Sequence, residues 1–288
     1  MTDTITNTLL EPFLNKVYFG DVMELLKQLP DKSVDMVFGD PDYNVGYTYG
    51  INRDKLYTKP FNEYIDWYIK LSRECRRVIK DNGNMFFMNY SKQNSYLTIY
   101  LDRVCYNVHD YVWVYRTMQG IHKSIFTPSH RNILHARPTK SNKWYNDRVC
   151  QLYRNIGDKR IQKQISRGKE GTSQYSWFYF DIVNNMSKEK TLHSCQIPQQ
   201  LFTMLLKAST NKGDNVLVLF GGSGGELEIC KLLERNYISA EIDKDYYNMI
   251  VERLKSGIID GKYRPRGDTI CGANKEELTT KGKLLSDY

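Results

Sequence analysis

Residues 216–243, "VLVLFGGSGGELEICKLLERNYISAEID", constrain the fold more than any other stretch. An apolar run leads into a glycine-rich turn, then a helical pattern, then a second apolar run ending on acids. Continuous apolar runs read as strands buried on both faces, which occur in parallel sheets covered by helices. Gly221, Gly222, Gly224 and Gly225 let the backbone turn tightly and approach a ligand closely. Glu241 ends the second strand, at the carboxyl edge of the sheet, where an acid can accept hydrogen bonds from the ribose hydroxyls of a nucleoside ligand. The loop is not G-x-x-x-x-G-K-[ST], so a P-loop is not expected. Nor is it a clean G-x-G-x-x-G, which leaves a dinucleotide as a secondary candidate.

The rest of the chain repeats the alternation. A short strand, a helix, a turn at 30–32 and a buried strand over 34–38 open it. Residues 61–80 carry apolar side chains at helical spacing, and the helix is expected to end at Asn82 and Gly83. A strand over 84–90, a helix over 92–105 and a strand over 110–116 follow, with one more short strand within 129–138. Regular patterns return as a helix over 197–210, strands over 214–220 and 237–243, and helices over 226–236 and 244–257. The fold class expected is α/β, a mostly parallel sheet with helices on both faces. The organisation reads as one domain in two halves, 1–138 and 191–257, separated by an irregular insertion over 139–190 and followed by a polar tail over 258–288. Hydrophobic residues make up 41% of the chain, enough for a sizeable core.

The net charge is +8, and residues 139–190 carry eleven lysines and arginines against five acids. That stretch also holds Trp144, Tyr145, Tyr153, Tyr175, Trp177, Phe178, Tyr179 and Phe180. Basic side chains interleaved with aromatic ones suit phosphates and bases, and a solvated loop with its own aromatic cluster is the plainer reading. No apolar run reaches 18 residues, so no membrane span is expected. The opening residues lack a basic n-region and an apolar h-region, so no signal peptide is expected either. The six cysteines are scattered with no pair at CxxC spacing, which points to reduced thiols, no metal site and a cytoplasmic setting.

Residues 40–44, "DPDYN", follow a buried strand. Read alone they are good β-turn chemistry. They also suit an amino group on a nucleic-acid base. Such a group is a poor nucleophile because its lone pair is delocalised into the ring. The Asp40 carboxylate and the Pro41 carbonyl can each accept one amino hydrogen, which localises the lone pair and stabilises the charge that grows on nitrogen. The Tyr43 ring can stack on a base extruded from a duplex.

"DPDYN", "LHSCQIPQQL", "FGGSGG" and "ISAEIDKDYYNMIVERL" occur in an order that resembles the β-group DNA amino-methyltransferases, which act on N6 of adenine or N4 of cytosine. The resemblance spans roughly residues 15–255 and includes the opening "YFGDVMELLKQLPDKSVDMVFGDPDY". It implies a Rossmann-like S-adenosylmethionine-dependent methyltransferase fold with a target-recognition insertion. By position it implies a catalytic segment of Asp40, Pro41 and Tyr43. It places Phe220, Gly221, Gly222, Ser223 and Gly224 around the methionine part of the cofactor, with Asp40 beside it, Glu241 on the ribose and Asp21 at the adenine amino group. His193, Gln196 and Pro198 fall where the family reads "HPTQKP", lining the same pocket. The basic stretch falls where the family reads its DNA target, so Arg148, Arg154, Lys159, Arg160, Lys163 and Arg167 become candidate contacts to double-stranded DNA. An acid at the first catalytic position goes with adenine in this family and a serine with cytosine, so Asp40 favours N6 of adenine. A bacterial or viral restriction–modification setting, in use at the nucleoid, and a homodimer or partner subunit are further implications.

The chain departs from the family pattern at several points. Asp42 stands where a small residue is usual, and Val218 and Leu219 replace the acid and proline of "VLDPF". "GSGTT" has become "GSGGE", and Ile197 replaces the lysine of "HPTQKP". Three alternatives to an N6-adenine enzyme therefore stay open: an N4-cytosine enzyme, a weakly active or inactive DNA-binding relative serving as a partner subunit, and a nucleotide-dependent oxidoreductase built on the same loop. RNA is an alternative substrate.

Overall fold

The computed structural model describes residues 6, 8–52, 54–116, 124–274, 276, 278, 281 and 282. Its main sheet has eight strands: β1 (Lys16–Phe19), β2 (Val34–Gly39), β3 (Ile79–Asn89), β4 (Asn107–Val114), β5 (His130–Arg137), β6 (Trp177–Tyr179), β7 (Asn215–Val218) and β8 (Asn236–Glu241). Their spatial order is β1-β8-β7-β2-β3-β5-β4-β6. Every neighbouring pair is parallel except the two that β5 makes, with β3 and with β4. The helices that concern the site are α1 (Val22–Gln28), α2 (Phe61–Val78), α3 (Ser91–Val104), α4 (Lys159–Ile165), α5 (Gln199–Ser209), α6 (Gly225–Leu232) and α7 (Lys244–Ser256).

Alternation along the central strands sorts their side chains into two cores. Met36, Phe38, Phe86, Met88, Val216 and Val218 pack on one face, with side chains of α5, α6 and α7. Val37, Met85, Phe87, Leu217 and Leu219 pack on the other, with side chains of α1, α2 and α3. The period of two along a strand forces this division, and it explains why the runs read as apolar throughout. One charge lies within β2. Asp35 is buried and ion-pairs with Lys80 and Lys143, each at 2.8 Å, while the Asn215 N–H donates to it at 3.0 Å. The lysines and this N–H hold the carboxyl below its usual range against the opposing effect of burial.

Two sequence expectations shift here. Helix α2 ends at Val78, and Asn82 and Gly83 lie inside β3 instead of terminating the helix. A Cβ at Gly83 would come within 2.8 Å of the Asp35 carbonyl, so glycine serves close strand approach at that point. The stretch 139–190 also starts and ends within the main body. Lys143 reaches Asp35, Trp144 stacks on His135 of β5 at 4.9 Å, and β6 extends the sheet edge. Its most exposed part is the middle, around α4. The tail is partly ordered: Ile258–Ile259 pairs with Ile270–Cys271, and the buried Arg264 donates to the Lys190 carbonyl at 3.1 Å. Among the described residues no helix is long and apolar enough to cross a membrane, and no group of three or more His, Cys, Asp or Glu is placed to hold a metal ion.

Candidate active site

Because β1, β8, β7, β2 and β3 run parallel, their carboxyl ends share one edge. A cavity of about 500 Å³ opens there. Its lining comes from the segments that follow those strands: Gly20 and Asp21 after β1, Asp40 to Tyr43 after β2, Phe220 to Ser223 after β7 and Glu241 to Asp243 at the end of β8. This is the crevice in which open α/β sheets bind ligands.

The turn after β2 is fastened at almost every residue. The Tyr43 hydroxyl donates to Asp40 Oδ1 at 2.5 Å, and Gln93 Nε2 donates to the Tyr43 carbonyl at 2.7 Å. The Tyr64 hydroxyl donates to the Asp42 carbonyl at 2.7 Å and receives Asn89 Nδ2 at 2.8 Å. Asn44, at φ 59°, ties the far end of the loop by exchanging hydrogen bonds with the Lys59 backbone at 2.7 and 2.9 Å. Burial pushes the Asp40 carboxyl up to about 8, while the Tyr43 hydroxyl and the Arg131 guanidinium pull it down. The Tyr43 ring is buried, set edge-to-face with Tyr90 at 5.3 Å, and faces a second, smaller cavity lined also by Trp113, Tyr115 and Arg131. Its visible task is to hold Asp40, a role the reading of an exposed stacking ring did not foresee.

The cofactor candidates converge only in part. Glu241 lines the cavity with both oxygens already engaged, accepting the Gly222 N–H at 2.7 Å and the Asp243 N–H at 2.8 Å. Burial still raises its carboxyl to about 7. Asp21 lines the cavity and caps α1 through the Met23 N–H at 2.7 Å. His193 lies against the glycine loop, and burial lowers it to about 3, so the ring is neutral. Its Nδ1 is buried without a partner. Gln196 lines the cavity but turns its side chain back onto Thr191 and the Glu189 carbonyl, bracing the loop. Gly224 and Pro198 lie outside the lining. Gly224, at φ 75°, precedes α6, and Pro198 precedes α5.

Of the basic candidates, Arg154, Lys159, Arg160, Lys163 and Arg167 are exposed on and around α4. Arg148 is not available in the same way. It donates to the Thr210 carbonyl at 2.8 Å and Asn211 Oδ1 at 2.9 Å, and lies over the Tyr145 ring at 3.6 Å. The cavity also contains groups that motif reading did not select: Tyr49, Tyr57 and Lys59 from the loop after the catalytic turn, Trp67 of α2, and Glu226 of α6. Trp67 lies one helical turn beyond Tyr64, a spacing that could have marked it. The loop residues carry no such signal.

The glycine loop fits a ligand that needs close backbone approach. A Cβ at Gly221 would meet Ile250 at 2.6 Å, and one at Gly222 would press on His193 at 3.3 Å. Sequence comparison decides what that ligand is. The DNA methylase family of the N6/N4 type matches residues 34–252. The chain belongs to this family. S-adenosylmethionine is the family's methyl donor, and the cavity, loop and strand-terminal acid fit it. Type II methyltransferase M.BamHI of Bacillus amyloliquefaciens is 32% identical over 95% of this chain, which spans 66% of that relative. M.HpaI of Haemophilus parainfluenzae is 32% identical over 82% of this chain and 73% of its own length. Among solved structures, the PvuII DNA methyltransferase (cytosine-N4-specific) aligns at TM-score 0.61 and 17% identity over 83% of this chain and 86% of its own. The M1.HpyAVI–SAM complex aligns at TM-score 0.55 and 22% identity, over 83% and 98%. These structures share the methyltransferase fold with this chain.

Proposed function

We propose that this methyltransferase modifies N6 of adenine in double-stranded DNA, with Asp40, Pro41 and Tyr43 as the catalytic segment. The observation that carries the reading is the Asp40 carboxyl held at 2.5 Å by the Tyr43 hydroxyl on the cavity wall. The acid, in place of a serine, favours adenine. The "DNA adenine methyltransferase YhdJ" of Escherichia coli, 28% identical over 83% of this chain, is in keeping with that choice.

S-adenosylmethionine supplies an electrophilic methyl on a sulfonium. The remaining work falls to the protein. Ionised Asp40 accepts one amino hydrogen and the Pro41 carbonyl the other, so the nitrogen lone pair is localised and aimed. In a water-poor cavity those fixed acceptors act more strongly than they would in bulk solvent. Nitrogen gains a proton's worth of charge as the new bond forms, and a carboxyl placed near 8 is basic enough to take that proton afterwards. Extruding the base costs a few kcal/mol. The exposed basic side chains around α4 supply phosphate contacts that hold the duplex in place. Names such as Type II methyltransferase among the relatives support a bacterial restriction–modification role.

Incubation with methyl-labelled S-adenosylmethionine and unmethylated genomic DNA, followed by mass analysis of the nucleosides, tests the reading. N6-methyladenine, lost with Asp40→Ala, is expected. N4-methylcytosine would overturn the base, and label on RNA alone would overturn the substrate.

A further inference from the structure

We infer that Glu226 makes this cavity selective for the cationic methyl donor, so that S-adenosylmethionine is held more tightly than the neutral thioether left after transfer. The inference rests on S-adenosylmethionine as the cofactor and extends it to the order of ligand affinities.

The cavity is unusually acidic for a chain of net charge +8. Among the described residues its lining includes the carboxyls of Asp21, Asp40, Asp42, Glu226, Glu241 and Asp243, against a single lysine, Lys59. Most of these acids have structural employment. Asp21 caps α1, and Asp243 caps α7 and pairs with Lys55 at 2.5 Å. Glu241 takes two backbone N–H groups, and Asp40 takes the Tyr43 hydroxyl. Glu226 differs. Its carboxyl has no hydrogen-bond or ion-pair partner on any other described residue, and only its own main-chain N–H favours its charged form at close range. Asp42 adds a second unanswered atom: Oδ1 accepts the Asn44 N–H at 2.7 Å, but Oδ2 is buried with no partner.

Position explains why the charge belongs to the ligand. Glu226 lies in the first turn of α6, directly after the glycine loop, where the family pattern has a hydroxyl. The acid usual at the preceding strand end is Val218 here, and Val218 packs into the core at 1% exposure. The negative charge has moved from the strand to the helix, and no lysine at 197 balances it. Asp40, Glu189 and Arg253 are the charged groups that act on Glu226, and burial raises its carboxyl to about 7. A nearby cation favours the ionised form. The donor and its product share one ammonium and one carboxylate and differ by the sulfonium charge. Unanswered carboxyls in the cavity therefore act on the difference between them.

The test is calorimetric titration of the full chain with S-adenosylmethionine, with S-adenosylhomocysteine, and with sinefungin, which carries an ammonium in place of the sulfonium. The wild type should bind the two cationic ligands about tenfold or more tightly than the neutral one. Glu226→Gln should erase most of that ratio by weakening the cationic ligands alone, and Glu226→Asp should restore part of it. Equal weakening of all three, or a wild-type ratio near one, would overturn the inference while leaving the cofactor in place. Failure of every ligand to bind the wild type would instead remove the cofactor assignment beneath it. Melting curves of each variant separate lost binding from lost folding.

Discussion

Asp40 shows how one residue couples stability to chemistry. Its carboxyl stands near 8 in the folded chain and near the usual value of about 3.9 when unfolded. The folded state therefore holds the proton more tightly. Stability from this group is full below the unfolded value and is lost as pH rises through 8. Asp40→Asn should melt at the same temperature as the wild type near pH 4 and higher by about 3 °C or more at about pH 9, as scanning calorimetry would show. Catalysis needs the ionised form, so kcat/KM should climb toward pH 8. The Tyr43 hydroxyl lowers the Asp40 value, and Tyr43→Phe should move the acid limb of the pH–rate profile upward. An unmoved limb would mean that another group sets it. The acid and the tyrosine were both legible in "DPDYN". Their hydrogen bond was not, because the sequence cannot show which way a ring turns in a tight loop.

At the scale of elements, α6, α7 and the tail are joined by one buried pair. Arg253, at 1% exposure, donates to Glu228 Oε2 at 2.7 and 3.1 Å and to the Ser223 carbonyl at 2.8 Å. The same oxygen accepts the Ala273 N–H at 2.9 Å. The helix that follows the glycine loop is thereby fixed to its neighbour and to residues near the end of the chain. Arg253→Met leaves Glu228 buried and unpaired and should cost about 3–5 kcal/mol in urea unfolding, with much of that recovered in the double variant with Glu228→Met. Helices and strands with strong periodicity were legible, and their positions hold to within a few residues. The end of α2 was not. Asn82 and Gly83 look like a helix stop, yet glycine is needed there so that β3 can pass the Asp35 carbonyl.

Across the whole molecule, charge is divided between an acidic cavity and a basic, exposed segment. Replacing Lys159, Arg160 and Lys163 by alanine should weaken DNA binding and reduce the slope of log K against log salt by about 0.9 for each phosphate left without its cation. Cofactor affinity should not change. Arg148→Ala should leave the salt slope intact and lower thermal stability instead, because that guanidinium fastens residues 145–148 to the end of α5. Equal slopes for the two variants would place the duplex elsewhere.

The order of motifs, the α/β alternation, the glycine loop and the strand-terminal acid came from the sequence by itself, since each depends on local pattern or on spacing along the chain. Tertiary structure decided which carboxyls are already answered and which are left for a ligand. Glu226 and Val218 read as simple departures from a motif, and only packing shows one facing the cavity and the other filling the core. Burial, and the donors brought near by distant segments, set the charge of each acid, and neither is a property of a residue's neighbours in sequence.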